Sequence, residues 1–245
     1  MLVRWLAASW RFDEAEAALD TILSENDKLT GTDTVAHAYL SAGMLNQAIA
    51  LFEHNLVDCE RILGPDHPGT LVSRNNLALA YQDAGELEQA IPLSEQTLAD
   101  RERILGPNHP DTLTSRNNLA RAYQDAGRLE KAINLFKQTL ADSEHILGSD
   151  HPHTLTSRGN LASAYQDAGE LEQAINLFEQ TLADRERILG PNHPDTLTSR
   201  NNLARAYQDA DRLEQAIDLF EQNLTDSERI LGPNHPWTTL FRDNL

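Results

Sequence analysis

The dipeptide His-Pro occurs at His67, His109, His151, His193 and His235, each 42 residues after the one before, and no other feature of this chain restricts its fold as much. A period of this length, kept without insertion, marks a tandem array whose single unit cannot bury its own apolar face and must stack on its neighbours. Tyr39, Tyr81, Tyr123, Tyr165 and Tyr207 keep the same spacing, as do Ala48, Ala90, Ala132, Ala174 and Ala216. Residues 106–147 and 190–231 differ at only seven positions in direct alignment, so the units are duplicates.

Within a unit, the stretch Thr112 to Ala126 places Leu119, Ala120 and Tyr123 on one side of an amphipathic helix, here helix A. Gly127 supplies the left-handed residue that ends it. Leu129, Ala132, Ile133, Phe136 and Leu140 then recur at helical spacing and mark a helix B that runs to about Leu147, where Gly148 stops it. The His-Pro pair sets proline's fixed φ at the first turn of the next helix A. Each unit is therefore expected to be an antiparallel helix pair, with Ala120 and Ala132 small where the two helices cross. Asp211 stands where other units carry the turn glycine, which is tolerable because Asp visits the left-handed region at low cost. Pro92 falls several residues inside a helix B and is expected to kink it, at roughly 3 kcal/mol.

These boundaries make residues 1–245 one all-α array. Phe12, Ala15 and Leu19 resemble the start of a helix B, so residues 1–24 are read as a degenerate N-terminal half-repeat. Residues 25–63 form the first repeat; 64–105, 106–147, 148–189 and 190–231 are regular repeats; and 232–245 is a terminal helix that stops short. An array ending this way exposes an apolar flank. The parent protein is expected to continue, or a second copy to cover the end as a homo-oligomer.

Composition narrows the function. Asp and Glu number 38 against 20 Lys and Arg, a net charge of −18, whereas a phosphate-binding surface needs basic residues concentrated on one face. A nucleic-acid partner is not expected. No run approaches the ~20 apolar residues of a membrane span, so no membrane partner is expected either. The single cysteine, Cys59, has no internal disulfide partner, and the expected location is cytoplasmic. No Gly-x-x-x-x-Gly-Lys-Ser/Thr, His-Glu-x-x-His or Gly-x-Ser-x-Gly motif occurs. One His-Pro histidine per repeat cannot converge on a single ion. The chain is thus expected to be no enzyme and to use no metal or cofactor.

Leu119, Ala120, Tyr123, Gly127, Ala132 and Phe136 fall as in the tetratricopeptide repeat, and the match covers nearly the whole chain. The 42-residue period, the Asn-Asn-Leu-Ala of Asn117 to Ala120 and the Ile-Leu-Gly-Pro-x-His-Pro of Ile104 to Pro110 resemble the kinesin light chain variety. Ala90-Ile91-Pro92-Leu93 has a counterpart there too. The near-identical repeats are also similar to bacterial arrays that follow the nucleotide-binding module of STAND signalling ATPases. The resemblance implies a right-handed superhelical solenoid of antiparallel helix pairs. It implies a protein-interaction scaffold whose extended peptide or protein ligand lies in a concave groove lined mainly by A helices. Two other roles stand beside it: a sensor or regulatory arm of a STAND-type ATPase, and a self-assembling structural element.

Given that groove, helical geometry picks its residues. If Leu119, Ala120 and Tyr123 face helix B, the side turned away carries Asn117, Arg121, Gln124 and Asp125. The equivalents are Asn75, Leu79, Gln82 and Asp83; Gly159, Ser163, Gln166 and Asp167; and Asn201, Arg205, Gln208 and Asp209. Side-chain amides suit a peptide backbone because each offers a donor and an acceptor. In kinesin light chains the matching asparagines hold peptide backbone, and Gly159 replaces one of them here. Those light chains favour acidic peptides through a basic groove, a preference that four Asp against two Arg does not carry over. Solvated polar residues are also what any exposed helix face shows. Asn76, Asn118, Asn160 and Asn202 are expected to bond to neighbouring loops. Arg74, Arg116, Arg158 and Arg200 replace an apolar core residue of the family, and each guanidinium is expected to meet an acidic partner on an adjacent helix.

Overall fold

Glycine and proline punctuate the chain into helices. The computed structural model describes residues 25–243, so the half-repeat expected at 1–24 lies outside the described residues. Eleven helices follow one another among them: α1 Glu25–Ser41, α2 Leu45–Ile62, α3 Pro68–Asp83, α4 Leu87–Leu105, α5 Pro110–Asp125, α6 Leu129–Leu147, α7 Pro152–Asp167, α8 Leu171–Leu189, α9 Pro194–Asp209, α10 Leu213–Leu231 and α11 Pro236–Asp243. Odd numbers are A helices and even numbers are B helices.

The B-to-A connections before α3, α5, α7 and α9 are built the same way. Gly106 takes φ +90° and ψ 158°, a region open to glycine alone. Its carbonyl accepts the Thr112 hydroxyl at 2.9 Å. His109 caps α5: its Nδ1 accepts the backbone N–H of Asp111 at 3.1 Å, with Pro110 in the first turn. His67, His151, His193 and His235 cap their helices in the same manner. The repeated histidine is thus a helix cap, although it lies outside the usual Ser, Thr, Asp and Asn set.

The A-to-B turn is more permissive. Gly127 sits at φ +68° and Asp211 at φ +58°, the only non-glycine with positive φ among the described residues. This is the left-handed region that Asp tolerates. Asp211→Gly should stabilise the chain by about 0.5–1 kcal/mol, as relief of left-handed strain outweighs the extra freedom of the unfolded chain. A rise in the thermal midpoint measures it; a fall would show that Asp211 contributes a contact of its own. Helix α4 runs unbroken through Pro92. The carbonyl left without its N–H donor belongs to the exposed Glu88, where water can replace the lost bond.

The described residues fall into two compact units meeting at Ala126 and Gly127. In the first, α1 packs on α2, α2 on α3, α3 on α4 and α4 on α5. The core joins Val35, Ala36, Tyr39, Ala48, Ile49, Phe52, Leu77 and Ala80. In the second, α6 through α11 pack in sequence order, around Ala162, Ala174, Ile175, Phe178, Leu182, Leu203, Ala204, Tyr207 and Phe220. Ala162 and Ala174 are fully buried, the small pair that lets two helices approach closely. On α10, which packs against the short α11, Ile217 is 48% exposed where Ile175 is 2%.

Polar ladders join the units of the period. Arg74 donates to Glu60 at 3.1 Å and Asp100 at 2.7 Å, and Arg158 to Glu144 at 3.2 Å and Asp184 at 2.7 Å. Arg116 reaches Glu102 at 3.1 Å. All three guanidinium-bearing side chains are buried, so arginine stands in the family's apolar position because carboxylates on adjacent helices meet it. Tyr81 and Tyr207 donate to Glu53 and Glu179 at 2.5 and 2.6 Å. Burial, then that acceptor, pushes both phenols up to about 12. At Tyr165, Lys137 replaces the glutamate and its ammonium lies 5.2 Å from the ring centroid, a cation–π contact.

Candidate functional site

An interior A helix has neighbours on several sides: α3 packs on α2, α4 and α5, and α9 on α8, α10 and α7. What stays open is a narrow stripe. On α5 it runs Asp111, Thr114, Asn118, Arg121, Asp125, and on α9 it runs Asp195, Thr198, Asn202, Arg205, Asp209. Steps of three and four residues are one face of a helix. Arg121 and Arg205 are exposed on it, and neither has an ion-pair partner among the described residues.

Three residues expected on the open face are elsewhere. Asn117 and Asn201 are 7 and 8% exposed and Gln82 is 9%. On α9 the reason is packing against α7, α8 and α10, which covers the position four residues before Arg205. Asn117 Oδ1 is buried without a hydrogen-bond partner.

Several others bond between successive A helices. Asn118 Nδ2 donates to Asn75 Oδ1 at 3.0 Å and Asn76 Nδ2 to Asp33 at 2.9 Å. The partners of these second asparagines are thus side chains of the preceding A helix, where neighbouring loops were expected. Gln82 donates to Asp125, and Gln166 Nε2 to Asp209 at 2.5 Å. Gln124 is half-buried and Gln208 exposed.

In the second unit the asparagine rung is missing. Gly159 occupies the position of Asn75, so Asn202, at the position of Asn118, has no side-chain oxygen there to donate to. A polar recess of ≈ 90 Å³ opens instead, lined by Ser163, Gln166, Asp167, Phe178, Asn202 and Arg205. Ser163, Gln166 and Arg205 were picked from helical geometry. Asn202 and Phe178 were not, although glycine at 159 against Asn75 is the signal that the rung would fail. A guanidinium, a carboxamide and a second amide donor around one recess can hold a carbonyl or carboxylate oxygen.

Cys59 is buried. Burial, ahead of nearby acidic groups, pushes its thiol up from the ordinary value, the opposite of an activated nucleophile. Among the described residues no group of three or more His, Cys, Asp or Glu is placed to hold a metal ion. No described helix is long and apolar enough to cross a membrane.

The tetratricopeptide repeat family model matches residues 30–102, 75–145, 140–187 and 153–225. The chain belongs to the tetratricopeptide repeat family. A crystal structure of a Podosopora anserina kinesin light chain-like protein with nearly identical TPR-like repeats is 35% identical over 82% of this chain and 96% of its own, with a TM-score of 0.70. BtubC (BKLC) from P. vanneervenii is similar in fold at 18% identity and a TM-score of 0.72, over 96% of this chain and 94% of its own. NprR in complex with its cognate peptide NprX is similar in fold at 16% identity and a TM-score of 0.67, over 98% of this chain and 69% of its own. No curated protein matches this tetratricopeptide repeat chain in sequence.

Proposed function

We propose that this tetratricopeptide repeat chain is a protein-interaction scaffold that holds an extended peptide or protein segment along the open stripe of its A helices. Family membership supports the class, and the NprR structure shows a similar fold holding a peptide. The observation that carries the reading is the recess of Ser163, Gln166, Asn202 and Arg205. Asn118 donates to Asn75, whereas Gly159 offers Asn202 no such acceptor, which leaves its amide beside the exposed Arg205 to meet a guest. A backbone carbonyl or an acidic side chain seated there would accept from Arg205 and Asn202, while Phe178 closes the floor. The partner is thus a segment with oxygen acceptors spaced along an extended strand.

The test uses peptides selected on the purified chain from a random pool, with affinity read by fluorescence anisotropy. Gln166→Ala combined with Arg205→Ala is expected to weaken binding at least about tenfold, or 1.4 kcal/mol, with unchanged helicity. Gln180→Ala, an exposed change on a B helix, should leave affinity alone. Equal affinity for the wild-type chain and the double variant would remove the recess from the binding site.

A further inference from the structure

One position of the B helix alternates along the chain: Cys59, Arg101, Ser143, Arg185, Ser227. Ten residues later a second position reads Gly69, Asp111, His153, Asp195, Trp237. Where arginine is present it is held by a fixed set of acceptors. Arg101 Nη1 donates to the Asp111 carbonyl at 3.0 Å and to Ser115 Oγ at 2.7 Å. Arg185 Nη1 donates to the Asp195 carbonyl at 3.1 Å and Ser199 Oγ at 2.7 Å, and its Nη2 lies 3.5 Å from Thr156 Oγ1.

The corresponding groups around Cys59 are Thr30 on α1 and Gly69 and Ser73 on α3, the preceding and following A helices, as Thr156 on α7 and Asp195 and Ser199 on α9 are for Arg185. Thr30, Gly69 and Ser73 line a cavity of ≈ 410 Å³, with Asp33, Asn55 and Cys59 among the rest of its wall. Around Arg185 the matching space is ≈ 260 Å³. Thus the acceptors remain in the first repeat while the arginine that uses them elsewhere is cut back to cysteine. A second observation points the same way. Asn55, 3% exposed, has its Oδ1 buried without a partner, whereas Thr97 and Thr181 at its equivalents bond to their own helix at 2.7 Å. An acceptor beyond those that Arg185 uses is therefore present, with the Asp33 carboxylate close by.

We propose that this cavity takes a guanidinium group supplied from outside the chain, seated on the Gly69 carbonyl, Ser73 Oγ, Thr30 Oγ1 and Asn55 Oδ1 as Arg185 is seated on its own framework. Guanidinium fits because it is planar, carries five donors and is more weakly hydrated than an ammonium. A ligand of this chemistry could be an arginine side chain of a protein partner or a free guanidino compound. The site shares no residue with the recess at Arg205, so the two readings stand or fall separately.

The test is calorimetric titration of the full chain with agmatine and with the peptide acetyl-Gly-Arg-Gly-amide, at constant ionic strength, with cadaverine as an amine control. Cys59→Arg fills the cavity from within, in a framework that already hosts arginine at 101 and 185. It should match the wild-type helicity while binding the two guanidino ligands at least about tenfold more weakly. Cys59→Ser keeps the cavity and should bind as the wild type does. Binding of the peptide alone assigns the site to a protein partner, binding of agmatine alone to a small molecule, and mutual competition to the guanidinium itself. Absence of saturable binding by both, equal binding by Cys59→Arg, or cadaverine binding as tightly as agmatine would overturn the assignment.

Discussion

Replacing Glu186 and Asp226 together with alanine is expected to destabilise the chain by about 3–5 kcal/mol, although both carboxylates are themselves partly open to water. Arg200 is 1% exposed; its Nη1 donates to Asp226 at 2.9 Å and its Nη2 to Glu186 at 3.2 Å. The Pro191 carbonyl also accepts from Nη2, at 3.4 Å. Without the two carboxylates a buried cation has lost its counter-charges, and it cannot swing into water without opening the helix packing. The opposite deletion is milder: Arg200→Met removes the charge and leaves two carboxylates that solvent can reach. Adding Arg200→Met to the double alanine variant should therefore recover most of the loss. Urea unfolding followed by helicity measures all three, with the midpoints compared at similar slope. Equal losses for Arg200→Met and for the carboxylate pair would contradict this account.

Phe178→Ala should cost a similar ~3–5 kcal/mol, by a different route. Phe178 is 2% exposed and is surrounded by Ala162, Ala174, Ile175, Leu182, Leu203 and Ala204. Alanines on facing helices have nothing with which to fill the void, so the cavity stays open and its full penalty is felt. Since each helix pair leans on its neighbours, hydrogen-exchange protection should fall across α7, α8 and α9 together. Phe178→Leu should lose less than half as much. A loss below about 1 kcal/mol for the alanine variant would mean that the helices close over the gap.

Much of this was legible in the residues. The recurrence of His67 to His235 set the repeat, and the helix-spaced apolar residues separated A from B. Gly127 and Asp211 fill the same turn position for the reason that their chemistry suggests, since both occupy the left-handed region. Gly106 differs: its φ of +90° with ψ 158° admits no side chain, and a list of glycines does not separate the two kinds. The histidine cap was also hidden, because an imidazole accepts a backbone N–H only when the loop delivers Nδ1 to it.

The candidate site was legible in part. Helical geometry correctly turned Arg121 and Arg205 outward, because residues opposite Leu119 and Tyr123 must leave the pair's own interface. It placed Asn117 and Asn201 outward too, because one helix pair has a single buried side. An A helix such as α9 packs against α7, α8 and α10, and Asn201 on it is covered; Asn117 is buried as well.

The sequence by itself determined the period, the helix pairs, the turn residues and the positions that must be apolar or small, because these depend on contacts within a few turns of chain. Only the tertiary structure decided which polar residues remain open. Asn118 reaching Asn75, Gln166 reaching Asp209, and the recess left where Gly159 breaks the rung all depend on residues 43 apart meeting across neighbouring helices. Such meetings follow from how one repeat rests on the next, which the spacing within a repeat does not encode.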